Sequence, residues 1–211
     1  MKHLKPLKID PKLLRALMTL AFDDQKKAWE RNWVKAKAFK DVLDAHLETE
    51  QSNRCAYCGS RFMSPARHRD HIAPKGQTLY PQWTFHPYNL VHACYDCNSG
   101  WKLQQNTITH FSPHYSKCQF SIIHPYFDDP KEHITYTGHR LSILIYPVKG
   151  SAKGKETIRM FDLASLHRTK QRSKDVIWDR DLDHLHGKWR LLAEAVLLSP
   201  VPQRLVPRLR G

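Results

Sequence analysis

Residues 55–58 read CAYC, residues 94–98 read CYDCN, and the segment RDHI occupies residues 69–72 between them. The first four of the five cysteines form two pairs 35 residues apart: Cys55 and Cys58, then Cys94 and Cys97. A Cys-x-x-Cys pair places two thiolates on one tight turn, and two such pairs complete a tetrahedral site that is closed to water. The spacing therefore predicts a structural Zn²⁺ site, with Cys118 left as a small core residue.

The chain is strongly basic, with 34 Lys and Arg against 20 Asp and Glu and a formal net charge of +14. The imbalance is sharpest in residues 51–118, which carry seven basic and two acidic side chains. Four thiolates around one Zn²⁺ add a charge of about −2, and the segment stays basic after that correction. Such a surface suits a polyanion, of which a phosphate backbone is the commonest. Basic character that serves solubility alone is the alternative.

Length and composition limit the class of protein. The 211 residues, 41% of them apolar, are enough to bury a core in one large or two small domains. No apolar run approaches the roughly 18 residues of a membrane span. The opening MKHLKPLKID lacks the apolar stretch of a signal peptide. We therefore expect a cytoplasmic globular protein with no membrane partner.

Changes in residue composition and apolar periodicity divide the chain into three parts: a helical segment (1–50), a cysteine-containing core (51–118) and a C-terminal α+β region (119–211). Apolar spacing predicts helices over residues 11–22 and 24–49. The lysines of the second helix lie mostly between its apolar positions. This pattern favours a helix that packs on the core over one that contacts DNA directly.

Weaker patterns indicate the remaining elements. HRDHIAP is typical of a strand that ends at a proline, and a helix is expected to begin near Asn98. A hairpin is predicted over residues 133–148, and residues 82–85 and 156–163 are candidate strands. Residues 163–198 have helical spacing with a break near Asp181 or Gly187. The Pro- and Arg-rich end is expected to be a flexible arm or a partner-binding surface.

The ordered combination of Asp70-His71, Asn89 and Cys-x-x-Cys-Asn98 resembles the HNH endonucleases of the zinc-knuckle ββα-metal fold. The similarity covers about residues 54–105. It implies that Asp70 and Asn98 bind a catalytic Mg²⁺ or Mn²⁺, that His71 is the general base, and that Asn89 holds the base in place. Many relatives carry His at the position of Asn98, and many carry Lys at the position of Trp101, whereas here the Lys is Lys102.

The residue types suit this chemistry independently of the resemblance. Histidine is largely neutral at cellular pH and able to accept a proton from water. Mg²⁺ prefers a few hard oxygen ligands and keeps open positions for water and phosphate. Each residue also fits a structural role: Asp70 a turn or cap, His71 a core or metal-binding histidine, Asn89 a loop and Asn98 a helix N-cap.

The predicted function is hydrolysis of nucleic-acid phosphodiesters, with DNA favoured over RNA. The predicted phosphate contacts are Arg67, Arg69, Lys75 and Lys102. The segment after Cys118 resembles HNH proteins of bacterial defence systems, some of which pair with an ATPase, as in Septu-type systems. Two alternatives stay open: a non-catalytic zinc module that only binds nucleic acid, and a nuclease subunit that is active only with an ATPase partner.

Overall fold

The computed structural model of the chain describes residues 1–62, 67–76, 78–137 and 144–183 together with Gly187. Within these ranges the chain is an α+β protein, as predicted, with α-helices, one π-helix and three two-stranded antiparallel sheets. The α-helices are α1 (Pro11–Met18), α2 (Phe22–Glu30), α3 (Val34–Gln51), α4 (Ala152–Met160) and α5 (Leu166–Asp183). The strands are β1 (His68–His71), β2 (Leu90–Ala93), β3 (Ile108–His110), β4 (Gln119–Phe120), β5 (Ile134–Thr137) and β6 (Leu144–Pro147).

The N-terminal helices pack on the centre of the chain through a shared apolar cluster. Phe39 on α3 is fully buried and meets Phe85 edge to face, with 5.5 Å between ring centroids. Leu43 and Leu47 on α3 and Leu90 of β2 belong to the same cluster. At the end of α3, the Gln51 side chain donates to and accepts from the backbone of His92 in β2, both at 2.8 Å. The prediction that these helices pack on the core is confirmed.

The predicted helix over residues 24–49 is in fact two helices. The chain breaks at Asn32, which has a φ of 51°, between the end of α2 and the start of α3. Asparagine tolerates this left-handed conformation better than most residues. Its Oδ1 also accepts a hydrogen bond from Lys40 Nζ at 2.7 Å, which ties the break to α3. Apolar periodicity runs through such a break and does not reveal it.

The first sheet positions the candidate site. Strands β1 and β2 pair antiparallel, with Asp70 opposite Val91 and His71 opposite Leu90. The second cysteine pair follows β2, and a π-helix over Asp96–Lys102 begins within that pair. Asn98 lies inside this helix, where its N–H donates to the Cys94 carbonyl at 3.0 Å. Asn98 is therefore not the N-cap residue that a purely structural interpretation required.

The larger apolar cluster crosses the predicted boundary at residue 118. Tyr57, beside Cys58, stacks on Phe161 with 4.2 Å between ring centroids. Ile122, Ile123 and Leu163 are buried in the same cluster. Cys118 is also a buried member, as expected of a small core residue. The division into 1–50, 51–118 and 119–211 stays a prediction.

Two predicted strands are wrong. Residues 156–163 lie mostly in α4, because Ser151 Oγ caps the helix on Gly154 N–H and the buried Gly154, Thr157 and Met160 recur at helical spacing. Residues 82–85 overlap a 3₁₀ turn, Pro81–Trp83, and bury Trp83, Thr84 and Phe85 in succession, which an alternating strand cannot do.

The predicted hairpin is present as the β5–β6 pair, although its turn lies outside the described residues. A helix does begin after Leu163, and α5 runs through Asp181 to Asp183 without the predicted break. The alternative break near Gly187 and the Pro/Arg-rich end lie, apart from Gly187 itself, outside the described residues. Nowhere in the described ranges does a helix combine the length and apolar character needed to cross a membrane.

Replacement of Phe39 by Ala should lower the free energy of unfolding by about 3–5 kcal/mol, because it removes a fully buried ring from a close-packed cluster. Urea denaturation monitored by circular dichroism measures this change. Val42→Ala, on the exposed side of the same helix, is the control and should stay within about 0.5 kcal/mol of the parent chain. Equal effects of the two substitutions would contradict the packing of α3 on the core.

Candidate metal centre and candidate active site

The four paired cysteines converge on one point. One ligand atom from each of Cys55, Cys58, Cys94 and Cys97 lies within 4.8 Å of all the others. Three of these residues are buried and Cys94 is partly buried, and all four are free of disulfides. Among the described residues, no other group of three or more His, Cys, Asp or Glu side chains comes together in this way.

The spacing of the sulfurs fits a tetrahedral metal ion. Four sulfurs about 2.3 Å from a central Zn²⁺ would be about 3.8 Å apart along each edge of the tetrahedron. Sγ of Cys58 and Sγ of Cys94, which belong to different pairs, are 3.8 Å apart. The cluster can therefore hold a metal ion, and its all-thiolate ligand set is consistent with structural zinc.

Asp70 is buried between two hydrogen-bond donors. It is 4% exposed, and its Oδ2 accepts from the Tyr57 hydroxyl while its Oδ1 accepts from Lys102 Nζ at 3.1 Å. Burial, followed by the negative charge of Asp70, raises the pKa of Tyr57 well above its usual value, so the hydroxyl stays protonated. Each carboxylate oxygen thus accepts one described donor and keeps one further acceptor position.

His71 is buried with one ring nitrogen committed. Its Nε2 lies 3.0 Å from the carbonyl oxygen of Thr84, which can only accept, so Nε2 carries the proton of the neutral ring and Nδ1 carries the lone pair. Trp29 of α2 meets the imidazole edge to face at 4.6 Å. Burial lowers the pKa of His71 to about 3, and the ring is therefore neutral near pH 7.

Asn89 fixes the backbone on both sides of the histidine pocket. Its Nδ2 donates to the carbonyls of Ala73 at 3.0 Å and Trp83 at 3.1 Å, and its Oδ1 accepts from Ala73 N–H at 2.7 Å. The hydroxyl of Tyr115 donates to the same Oδ1 at 2.9 Å. Ala73 lies two residues after His71. Trp83 immediately precedes Thr84, whose carbonyl accepts the hydrogen bond from His71. Asn89 thus holds the loop that orients the imidazole.

Asn98 lines the same cavity as Asp70 and His71. Its Nδ2 donates a hydrogen bond to His68 Nδ1 at 3.0 Å, and the amide oxygen is the remaining polar atom of the side chain. A cavity of about 470 Å³ is lined by Asp70, His71 and Asn98 together with Trp29 and Lys102. The structure therefore brings three of the four predicted site residues to one cavity, with the fourth, Asn89, behind the loop.

The four predicted phosphate contacts are less free than the sequence suggests. Arg67 pairs with Glu48, and Arg69 forms a two-point ion pair with Asp44. Lys75 lies 3.6 Å from Glu30. These three side chains keep a quarter to a third of their surface exposed, and Arg69 and Lys75 lie at the edge of the cavity.

Lys102 differs from the other three predicted contacts. It is 1% exposed, and its ammonium donates to Asp70 and, at 2.7 Å, to the backbone carbonyl of His71. The predicted role as a surface phosphate contact is therefore not supported for Lys102. Its charge compensates that of Asp70 inside the protein, because a buried ammonium requires an anionic partner.

The sequence did not single out Tyr57, Thr84, Trp29 or Tyr115 as site residues. Tyr57 offers one signal, since it lies inside the first cysteine pair and so must lie near the metal centre. Thr84 acts through its backbone carbonyl, which leaves no trace in the choice of side chain. Trp29 has the helical spacing of a core residue, and that spacing alone does not reveal what it packs against.

No family model matches the chain, and no curated protein is similar to it. The resemblance to HNH endonucleases therefore depends on the order of the residues in the sequence alone.

The stability of the chain at low pH should depend on Asp44. Burial raises the pKa of this carboxyl, but hydrogen bonds from His92 and Arg69 outweigh that effect and lower the pKa from 3.8 to about 2. The pKa is lower in the folded state, so the stabilisation is fully present above about pH 4 and is lost as the pH falls towards 2.

Urea denaturation of the parent chain and of Asp44→Asn from pH 5 to pH 2 measures this contribution. The difference in unfolding free energy between the two proteins should shrink across that window. Asp41→Asn, at an exposed carboxylate paired with Lys37, is the control and should show no such change. A difference that is constant with pH would exclude Asp44 as the source.

Proposed function

We propose that this chain is a metal-dependent endonuclease that hydrolyses nucleic-acid phosphodiesters, most favourably those of DNA. The observation that carries the proposal is the placement of His71. Its Nε2 is held by a backbone carbonyl, which leaves Nδ1 as the proton acceptor, and it lines the cavity that also contains Asp70 and Asn98. A fixed tautomer with one free nitrogen is what a general base requires.

In this proposal each side chain has a distinct task. His71 Nδ1 takes a proton from the water that attacks phosphorus. Asp70 and Asn98 supply one carboxylate and one amide oxygen to Mg²⁺ or Mn²⁺, which when bound stabilises charge on the phosphate and the leaving oxygen. Asn89 keeps the Thr84 carbonyl and the Ala73 backbone in place, so the base keeps its orientation.

A buried histidine with a pKa of about 3 is a weak base before substrate arrives. A phosphate anion within the cavity would favour the imidazolium form and raise the pKa of His71 towards the working pH. The low value is thus compatible with catalysis if the substrate supplies the missing negative charge.

The position of Lys102 favours a second candidate. Its ammonium occupies one oxygen of Asp70, where a divalent ion would otherwise be the principal cation. A chain in which Lys102 permanently replaces the metal would be a non-catalytic zinc module that only binds nucleic acid. We place it second because Asp70 keeps a free acceptor position on each oxygen.

A plasmid assay tests the proposal. Supercoiled plasmid is incubated with the purified chain in Mg²⁺, Mn²⁺ or EDTA, and nicked or linear product should form only with the metal ion. His71→Ala should slow cleavage about 10²–10⁴-fold, the usual contribution of a general base. His110→Ala, on the exposed strand β3, is the matched control and should cleave at the parental rate.

Full activity of His71→Ala would exclude the proposed base. DNA retention at low salt without cleavage in any metal would support the binding module instead. The resemblance to defence nucleases also leads us to propose an ATPase partner. The assay is therefore repeated, with and without ATP, in the presence of any ATPase that a pull-down with the chain recovers. Cleavage that requires that partner would keep His71 as the base within the complex.

We further propose that the four-cysteine metal ion is Zn²⁺, with one ion per chain. Inductively coupled plasma mass spectrometry of the dialysed protein should give a zinc-to-chain ratio near one. Cys94→Ser should lower that ratio after dialysis against a chelator, because a serine hydroxyl is a much weaker zinc ligand than a thiolate and leaves the fourth position to water. Cys118→Ser is the control and should keep the parental ratio, and an equal loss in both variants would contradict the assignment.

A further inference from the structure

An arginine of helix α5 reaches the four-cysteine centre. Arg168, in the first turn of α5, is 3% exposed. Its Nη1 lies 3.8 Å from Sγ of Cys58 and 3.9 Å from Sγ of Cys94, and its Nη2 lies 3.4 Å from Sγ of Cys97. One guanidinium therefore spans both cysteine pairs.

The same helix contacts the first cysteine pair at a second point. Arg54 and Arg61, on either side of Cys55 and Cys58, both form ion pairs with Asp179. Asp179 lies eleven residues after Arg168, three turns further along α5. Helix α5 therefore contacts the cysteine pairs at two points about three turns apart. Arg168 contacts the sulfurs, and Asp179 contacts Arg54 and Arg61.

The two attachments respond differently to the metal ion. The contact at Asp179 joins fixed charges and does not depend on the sulfurs. The contact at Arg168 is made with the sulfurs themselves, and four thiolates around a divalent ion carry a net charge of about −2. Arg168 also lies 3.4 Å from the carboxylate of Asp96, which is about half exposed. A buried guanidinium that loses its anion is unfavourable.

We infer that Arg168 is an outer-sphere residue of the four-cysteine centre, and that metal binding docks the first turns of α5 onto the cysteine pairs. By linkage the arginine in turn strengthens metal binding, since it neutralises about half of the excess negative charge. The inference uses the zinc assignment proposed above and is independent of nuclease activity.

Two measurements on the zinc-loaded full chain test the inference. Transfer of zinc to a chromophoric chelator reports the affinity of the centre. Hydrogen–deuterium exchange with mass spectrometry reports the protection of peptides from residues 166–175. Arg168→Gln should weaken zinc binding about 10- to 100-fold, the usual effect of losing an outer-sphere partner. It should also speed exchange in those peptides while protection in α3 stays unchanged.

Three further variants separate charge from general loss of structure. Arg168→Lys keeps the cation and should recover part of the affinity. Asp179→Asn should loosen residues 176–183 without changing zinc transfer, because its partners are not the sulfurs. Arg159→Gln is the matched arginine control, since Arg159 is exposed and pairs with Glu156 on its own helix α4. This variant should match the parent in both measurements.

Parental zinc transfer and parental exchange of residues 166–175 in Arg168→Gln would overturn the inference. Exchange that rises equally in α3 and α5 would also overturn it, because the arginine would then stabilise the whole fold rather than the contact. A parent chain that binds no zinc would overturn the zinc assignment itself, which the metal content reports before either measurement begins.

Discussion

Convergence of four sulfur atoms is the constraint on which the centre of this molecule depends. The two cysteine pairs belong to segments 35 residues apart, and the strands that carry the candidate site lie between them or adjoin them. Strand β1 is only four residues long and pairs with one neighbour, which is too little to be stable alone. A metal ion held by all four sulfurs would remove conformational freedom from both segments at once. The buried Tyr57 then carries that order from the first pair directly to Asp70.

Residues that follow the second cysteine pair in the chain also hold the candidate site in place. Tyr115 donates to Asn89 and is itself hydrogen-bonded to His124 Nε2 at 3.0 Å. His124 Nδ1 accepts from the backbone of Tyr126, so Nε2 carries its proton and donates to the tyrosine oxygen. Burial lowers the pKa of His124 well below its usual value, which keeps this direction of hydrogen bonding at neutral pH. The histidine pocket is therefore supported by residues that lie well beyond the second cysteine pair.

Short-range chemistry was the part of this structure that the sequence could predict. The Cys-x-x-Cys pairs, the helix that begins at Pro11 and the β5–β6 pair follow from residues close together in the chain, and all three are present. The break at Asn32 and the helix at residues 152–160 were not predicted. The break is marked by the left-handed Asn32 and its hydrogen bond from Lys40, and the helix is marked by the Ser151 cap. Apolar periodicity registers neither signal. The ion pair of Lys102 with Asp70 and the reach of Arg168 to the sulfurs join residues 32 and 71–110 positions apart. The spacing of apolar residues along the sequence does not predict such long-range pairs.

The side chain of Asn89 uses its whole hydrogen-bonding capacity in one place. Two donors and two acceptor positions on a single planar amide are all engaged within 3.1 Å. Aspartate has the same shape but no donors, and glutamine has the same groups on a longer side chain. Serine and histidine have fewer donor and acceptor positions in total. The amino-acid alphabet thus contains one side chain that fits this position. Most positions on a protein surface accept many residue types. Position 89 accepts asparagine alone.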